Sequence, residues 1–131
     1  MQETAPDHCG TKGHYSLGTV LEEYGRGYAT LGQMNKALSY LDRAEQEVPN
    51  TEFWQLLILT ARAIALVKGG ELRVGIELAT QAAERCCTTG NIRFLDRIYI
   101  IQHYLDELTR DIAMMSAPLR EALHGGVVAD Y

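Results

Sequence analysis

The sequence predicts an all-α fold, and three observations carry this prediction. Apolar residues recur every three or four positions through most of the chain, which is the period of one helix face. Glycines such as Gly32 and Gly70 interrupt these stretches where helices are expected to end. An ordered set of small, aromatic and aliphatic residues in 21–49 recurs in degenerate form 38 residues later. We therefore expect helical hairpins that stack as repeats.

Composition and charge exclude several classes of function. The chain has 131 residues and a net charge of −5, and its 12 basic residues are scattered, so direct nucleic-acid binding is not expected. The most apolar stretch, 53–67, is too short and too polar to span a membrane. Residues 1–14 contain no apolar run typical of a secretory signal, and 3 cysteines make no disulfide framework. These features predict a cytoplasmic protein.

Three segments are expected along the chain. Residues 1–14 are rich in glycine, threonine and other polar groups and predict a flexible tail or linker. Residues 15–124 carry the helical periodicity and predict one domain, and residues 125–131 are expected to be frayed.

The helix boundaries follow from local signals. A first helix is expected at 15–31, ending at Gly32, and a second at 33–48, ending before Pro49. Thr51 is the predicted N-cap of the third helix. The later helices are expected at 53–68, 71–87 and 92–115, followed by a short helix that has Ser116 as its N-cap and ends at Leu123.

The ordered set in 21–49 resembles the tetratricopeptide repeat (TPR) pattern. Its members are Leu21, Tyr24, Gly25, Tyr28, Gly32, Ala37, Leu41, Ala44 and Pro49, and the second set, aligned on Gly70, is Leu59, Ala63, Leu66, Gly75, Ala79 and Ala82. The resemblance implies a TPR-like right-handed helical solenoid of about six helices, made of two repeats and a divergent C-terminal helix pair. It also implies a non-catalytic module that binds a protein or peptide partner through its concave face.

The resemblance assigns candidate partner-binding residues to that concave face: Thr19, Glu22, Arg26, Thr30, Leu57, Ile64 and Val67. The apolar members have two open interpretations, core or binding surface. Some TPR proteins bind a terminal carboxylate with lysine and asparagine where this chain has Glu22 and Arg26. Glu22 is expected to repel such a ligand, so that role is not carried over. Arg26 is expected to pair with an acidic group, either of a partner or on its own helix.

For three groups of reactive side chains, a structural role is a simpler interpretation than metal binding, redox chemistry or catalysis. The groups are His8, Cys9 and His14; Cys86 and Cys87; and His103 with Asp106 and Glu107. The first offers too few ligands for a zinc site. The vicinal cysteines lack redox spacing, so one is expected in the core and one at the surface. The third fits an ion pair along a helix. We expect no enzymatic activity, no cofactor and no metal.

Two further functions stay open beside partner binding. The segment 89–98 resembles the helical-repeat regions of bacterial signal-responsive regulators, which implies a sensor segment that binds a peptide or small effector. A short solenoid also exposes apolar end faces. That exposure favours a structural domain that self-associates, with a twofold homodimer as the expected form.

Overall fold

The computed structural model describes the backbone of residues 5–129 and the side chains of residues 17–125. All regular elements in this part of the chain are helices, which confirms the all-α class. They are α1 (Ala5–Thr30), α2 (Met34–Glu47), α3 (Glu52–Lys68), α4 (Leu72–Thr89), a 3-10 turn (Ile92–Phe94), α5 (Leu95–Met115) and α6 (Ala117–Ala129). Ser116 alone separates α5 from α6, so the number of helices depends on whether this junction counts as a break.

The first helix begins well before its predicted start near residue 15. Its backbone is helical from Ala5, and Pro6 lies in the first turn, where its missing N–H would have no helical partner. The side chains of the predicted tail, 1–14, lie outside the described residues. They include the histidine and cysteine side chains of this segment.

The chain divides into two compact units, Met1–Ile101 and Gln102–Tyr131. In the first unit, α1 packs on α2 and α3 packs on α4, and α3 also contacts both α1 and α2. The apolar sequence of α3 explains this central position, because nine of its 17 side chains are buried. Buried residues of α3 and α4 and of the 3-10 turn form one core cluster: Leu56, Leu57, Ala82, Cys86 and Phe94.

Glycines end three helices in the left-handed region. The φ angles are 78° at Gly32, 92° at Gly70 and 81° at Gly90, so the predicted stops at the first two are confirmed. After the first two glycines, the amides of Gln33 and Glu71 donate to carbonyl oxygens five residues back, at 2.9 and 2.8 Å. The two hairpins are therefore closed by the same turn.

Small residues bring the paired helices into close contact. A Cβ atom at Gly25 would lie 2.8 Å from the Leu41 side chain, and one at Gly75 would lie 2.8 Å from the Val67 backbone nitrogen. Tyr28 stacks on Tyr40 of α2, with ring centroids 5.5 Å apart. Gly25, Gly75 and the Tyr28–Tyr40 pair therefore lie in the contacts between the paired helices.

One predicted helix start is confirmed and one predicted helix end is not. Thr51 is the N-cap of α3, with an extended backbone, although its side chain makes no capping hydrogen bond. The last helix continues through Gly125 to Ala129 instead of ending at Leu123. Glycine weakens a helix by about 1 kcal/mol relative to alanine but does not forbid one. The side chains of 126–131 lie outside the described residues, so fraying of 125–131 stays a prediction.

A bilayer-spanning helix is not found among the described residues, since none of their helices combines the necessary length and apolarity.

Candidate functional site beneath the polar face of the first helix

Glu22 is the centre of a buried ion cluster in the first unit. Its side chain keeps only 1% of its surface exposed. Arg26, one turn later on α1, approaches it with two nitrogens, Nε at 2.9 Å from Oε2 and Nη2 at 3.3 Å from Oε1. This two-point pairing fixes the plane of the Arg26 guanidinium.

Arg97, at the start of α5, is the second cation on Glu22. Its Nη1 lies 2.9 Å from Oε2, and the side chain is 16% exposed. The same nitrogen donates to the Leu57 carbonyl oxygen at 2.9 Å and to the Thr60 hydroxyl oxygen at 3.1 Å. Arg97 therefore joins α1, α3 and α5 at one point.

Thr60 completes the polar interior of this cluster. Its side chain is fully buried, and its hydroxyl donates to the Leu56 carbonyl oxygen at 2.8 Å. The same hydroxyl accepts the hydrogen bond from Arg97. A buried hydroxyl with both functions satisfied carries little desolvation cost, which explains one polar residue in an apolar helix.

The cluster carries net positive charge, because two guanidinium groups face one carboxylate. The hydrogen bond from Arg26 to Glu22 raises the pKa of Arg26. Burial lowers the pKa of Arg97, and the charge of Glu22 opposes that effect. Arginine keeps its proton in proteins, so both groups stay cationic. Glu22 is buried and paired with both arginines, and its expected repulsion of an incoming carboxylate stays a prediction.

A polar strip on α1 lies above this cluster, and we define it as Thr19, Arg26 and Thr30. The spacings of seven and four residues place the three on one helix face. The Arg26 side chain is 37% exposed, and the Thr30 side chain is exposed and donates to the Arg26 carbonyl oxygen at 3.0 Å. Thr19 is half-buried. The strip presents one fixed, partly exposed cation with hydroxyl groups on either side.

The apolar members of the predicted site lie in the core. Leu57 belongs to the core cluster with Cys86 and Phe94, and Ile64 and Val67 are buried as well. These three side chains are part of the core packing. A partner could contact them only if this packing opened. The structure thus brings together Glu22 and the polar strip, and separates the apolar three from that surface.

A different side of α1, which adjoins the polar strip at Thr30, is apolar and exposed. Leu17, Val20, Tyr24 and Leu31 are exposed there. An open cleft of about 550 Å³ on this side is lined by Glu23, Tyr24, Gly27, Tyr28, Thr30 and Leu31. Thr30 therefore borders both the polar strip and the apolar cleft.

The other reactive side chains have structural surroundings. Cys86 is buried, which raises the pKa of its thiol, and Cys87 is exposed, as predicted for a core and surface pair. His103 lies 3.3 Å from Glu107 on the same helix, with both side chains exposed. Among the described residues, no group of three or more histidine, cysteine or carboxylate side chains is arranged to hold a metal ion.

Comparison with known proteins finds no matching family model, no matching curated protein and no matching solved structure.

Sequence reasoning did not find Arg97 and Thr60 as parts of the site. Each carries a signal that could have indicated it. Arg97 is a charged residue between Phe94 and Ile101 in an apolar stripe, and Thr60 is a polar residue in the apolar centre of α3. Buried polar groups need partners, so two such positions indicate a shared polar contact.

Proposed function

We propose that the chain is a TPR-like, non-catalytic interaction module that binds an acidic segment of a partner protein or peptide at the polar strip of α1. The observation that carries this proposal is the Arg26 guanidinium, which is held rigid by buried Glu22 and remains partly exposed. A preorganised cation loses little conformational freedom on binding, and a carboxylate offers it two hydrogen-bond acceptors.

The arrangement of the hairpins supports the TPR-like interpretation. α1 and α3 contact each other, each packs on the helix that follows it, and α2 contacts α3. The turns after α1 and α3 share positive-φ glycines at 32 and 70. In a solenoid of this kind, the first helices of successive repeats line the inner surface, and the polar strip is on the first of them.

The test is crosslinked capture of partners from lysate of the source organism, followed by mass spectrometry and by titration of the purified partner. Thr30→Glu places a negative charge beside Arg26, and we expect it to weaken partner binding at least about tenfold. Thr80→Glu is the matched control, because Thr80 is an exposed threonine on α4 that also donates to a carbonyl oxygen four residues back, at 2.8 Å.

Leu31→Glu separates the polar strip from the apolar side of the same helix, where Leu31 is exposed. The proposal predicts that the captured partner is lost with Thr30→Glu and kept with Thr80→Glu and Leu31→Glu. Capture that survives Thr30→Glu would overturn it. Loss with Leu31→Glu as strong as with Thr30→Glu would also overturn it and would move the binding surface to the apolar side of α1.

A further inference from the structure

An apolar seam with alternating spacings of four and three residues begins in the 3-10 turn and continues along α5 into α6. Its members are Phe94, Ile98, Ile101, Leu105, Leu108, Ile112, Met115 and Leu119. The average spacing is that of the heptad repeat, in which helices pair side by side through one stripe.

The junction at Ser116 does not interrupt this register. The Ser116 amide donates to the Ile112 carbonyl oxygen at 2.9 Å, and the Arg120 amide donates to the Ser116 carbonyl oxygen at 3.0 Å. Both bonds follow the α-helical pattern of four residues. The Arg120 side chain also donates to the Ala113 carbonyl oxygen at 2.7 Å, which supports the backbone next to Pro118. The seam is therefore one helical stripe from α5 into α6.

Burial of the seam changes along its length. Phe94 and Ile101 are buried, and Ile98 packs against the core cluster. Ile112 is 50% exposed, Met115 72% and Leu119 61%. Within the second unit, the last members of the stripe therefore form an exposed apolar surface.

The size of this surface fits a weak dimer. Leu123 is also exposed, beside the seam. Burial of each exposed apolar side chain of this surface removes on the order of 100 Å² from water. Two copies would bury about 800 to 1,000 Å² in total, which is below the range of stable interfaces and within the range of weak, transient ones. The expected pair is reversible and depends on protein concentration.

The charges along the segment favour a second copy over a lipid surface. The acidic residues are Asp106, Glu107, Asp111 and Glu121, and the arginines are Arg110 and Arg120. Helices that lie on membranes carry excess lysine and arginine on the polar face, and here carboxylates outnumber arginines. The presence of both signs avoids the repulsion that a face of one sign would meet in its own copy.

We propose that residues 105–123 form a self-association surface, in which the seam of α5 and α6 pairs with the same seam of a second copy of this chain. The heptad spacing is self-complementary, because each seam supplies both the inserted side chains and the gaps between them. A pair of identical surfaces closes around a twofold axis and stops at two copies.

Sedimentation equilibrium of the full chain tests the proposal between about 1 μM and about 1 mM, a range that brackets the affinity of an interface this small. The expected mean mass rises from 14.6 kDa toward twice that value and no further. The seam variant Ile112→Glu with Leu119→Glu is expected to remain monomeric over the whole range.

Met114→Glu is the matched control, because Met114 is 74% exposed on α5 but lies on the helix face opposite Ile112. It is expected to associate like the original chain, and circular dichroism checks that all variants keep their helices. A chain that stays monomeric at the highest concentration would overturn the proposal. So would equal effects of the seam and control variants, or growth beyond two copies.

Discussion

At the scale of single residues, Glu22 organises the interior of the first unit, because two arginines from different helices converge on its carboxylate. We expect Glu22→Gln to lower the free energy of unfolding by about 3 kcal/mol, since it leaves buried Arg97 without its counter-charge. Urea unfolding followed by circular dichroism measures this change.

Glu23→Gln is the matched control for this prediction. The substitution is the same, the residue is the next on α1, and its side chain is exposed. We expect a change within about 0.5 kcal/mol there. Comparable losses for the two variants would show that the cluster contributes no more than a surface charge.

The same residues show where sequence reasoning reaches its limit. An acidic partner for Arg26 was predicted, either on a binding partner or on its own helix, and the structure has Glu22 in that place, one turn away. The additional pairing of Glu22 with Arg97 is the part that local spacing does not indicate, because 75 residues separate the two and only the packed fold brings them together. The prediction of the site therefore included the strip on α1 and missed the cation that neutralises Glu22.

At the scale of helices, Gly25 and Gly27 near the end of α1 have opposite roles. A Cβ atom at Gly25 would meet Leu41 at 2.8 Å, whereas a Cβ atom at Gly27 would meet nothing within 4 Å. We expect Gly25→Ala to lower the free energy of unfolding by about 1–3 kcal/mol through overpacking. Gly27→Ala should raise it by about 0.5–1 kcal/mol, because alanine favours the helix.

Denaturant unfolding of both variants measures these changes, and each variant serves as the control for the other. Equal effects of the same sign would mean that helix propensity, and not the α1–α2 contact, determines them.

An ion pair joins the start of α3 to the end of α4. It predicts how the stability of the fold changes at low pH. The Arg85 side chain donates to both carboxylate oxygens of Glu52, at 2.7 and 2.9 Å. These hydrogen bonds lower the pKa of Glu52 below its ordinary value of 4.5. A depressed folded-state pKa adds stability that is present above the unfolded value and is lost as pH falls through the folded value.

We therefore expect Arg85→Gln to move the pKa of Glu52 upward toward 4.5, as measured by NMR titration of its side-chain carboxyl carbon. The acid loss of stability linked to this group should then disappear. Arg73→Gln is the control, because Arg73 is an exposed arginine near the other end of α4. An unchanged Glu52 titration in Arg85→Gln would contradict the role of the ion pair.

Local signals explain why most helix boundaries were predictable and why some were not. The stops at Gly32 and Gly70 follow from the backbone freedom of glycine, which needs no tertiary information. The early start of α1 and the continuation of α6 through Gly125 contradict the local composition. At those positions weak propensities gave the wrong boundary, because glycine lowers helix stability without excluding a helix.

At the scale of the whole molecule, burial is uneven between the two compact units. α3 in the first unit buries nine side chains, whereas no described side chain between Gln102 and Gly125 is fully buried. Backbone amides open more easily where few side chains are buried. At about 10 μM protein, we expect amides of residues 105–123 to exchange at least about 100-fold faster than those of α3.

Hydrogen exchange at a second protein concentration tests whether the fast exchange of residues 105–123 depends on self-association. If the seam pairs with a second copy, amides of 105–123 should slow as protein rises from about 10 μM to about 500 μM, because only the paired state protects them. Amides of α3 should not change, since their protection comes from packing within the first unit. The Ile112→Glu, Leu119→Glu variant should show fast exchange in 105–123 at both concentrations. Equal slowing in α3 and in 105–123 would instead indicate a general effect of concentration, and the link between the exposed seam and pairing would fail.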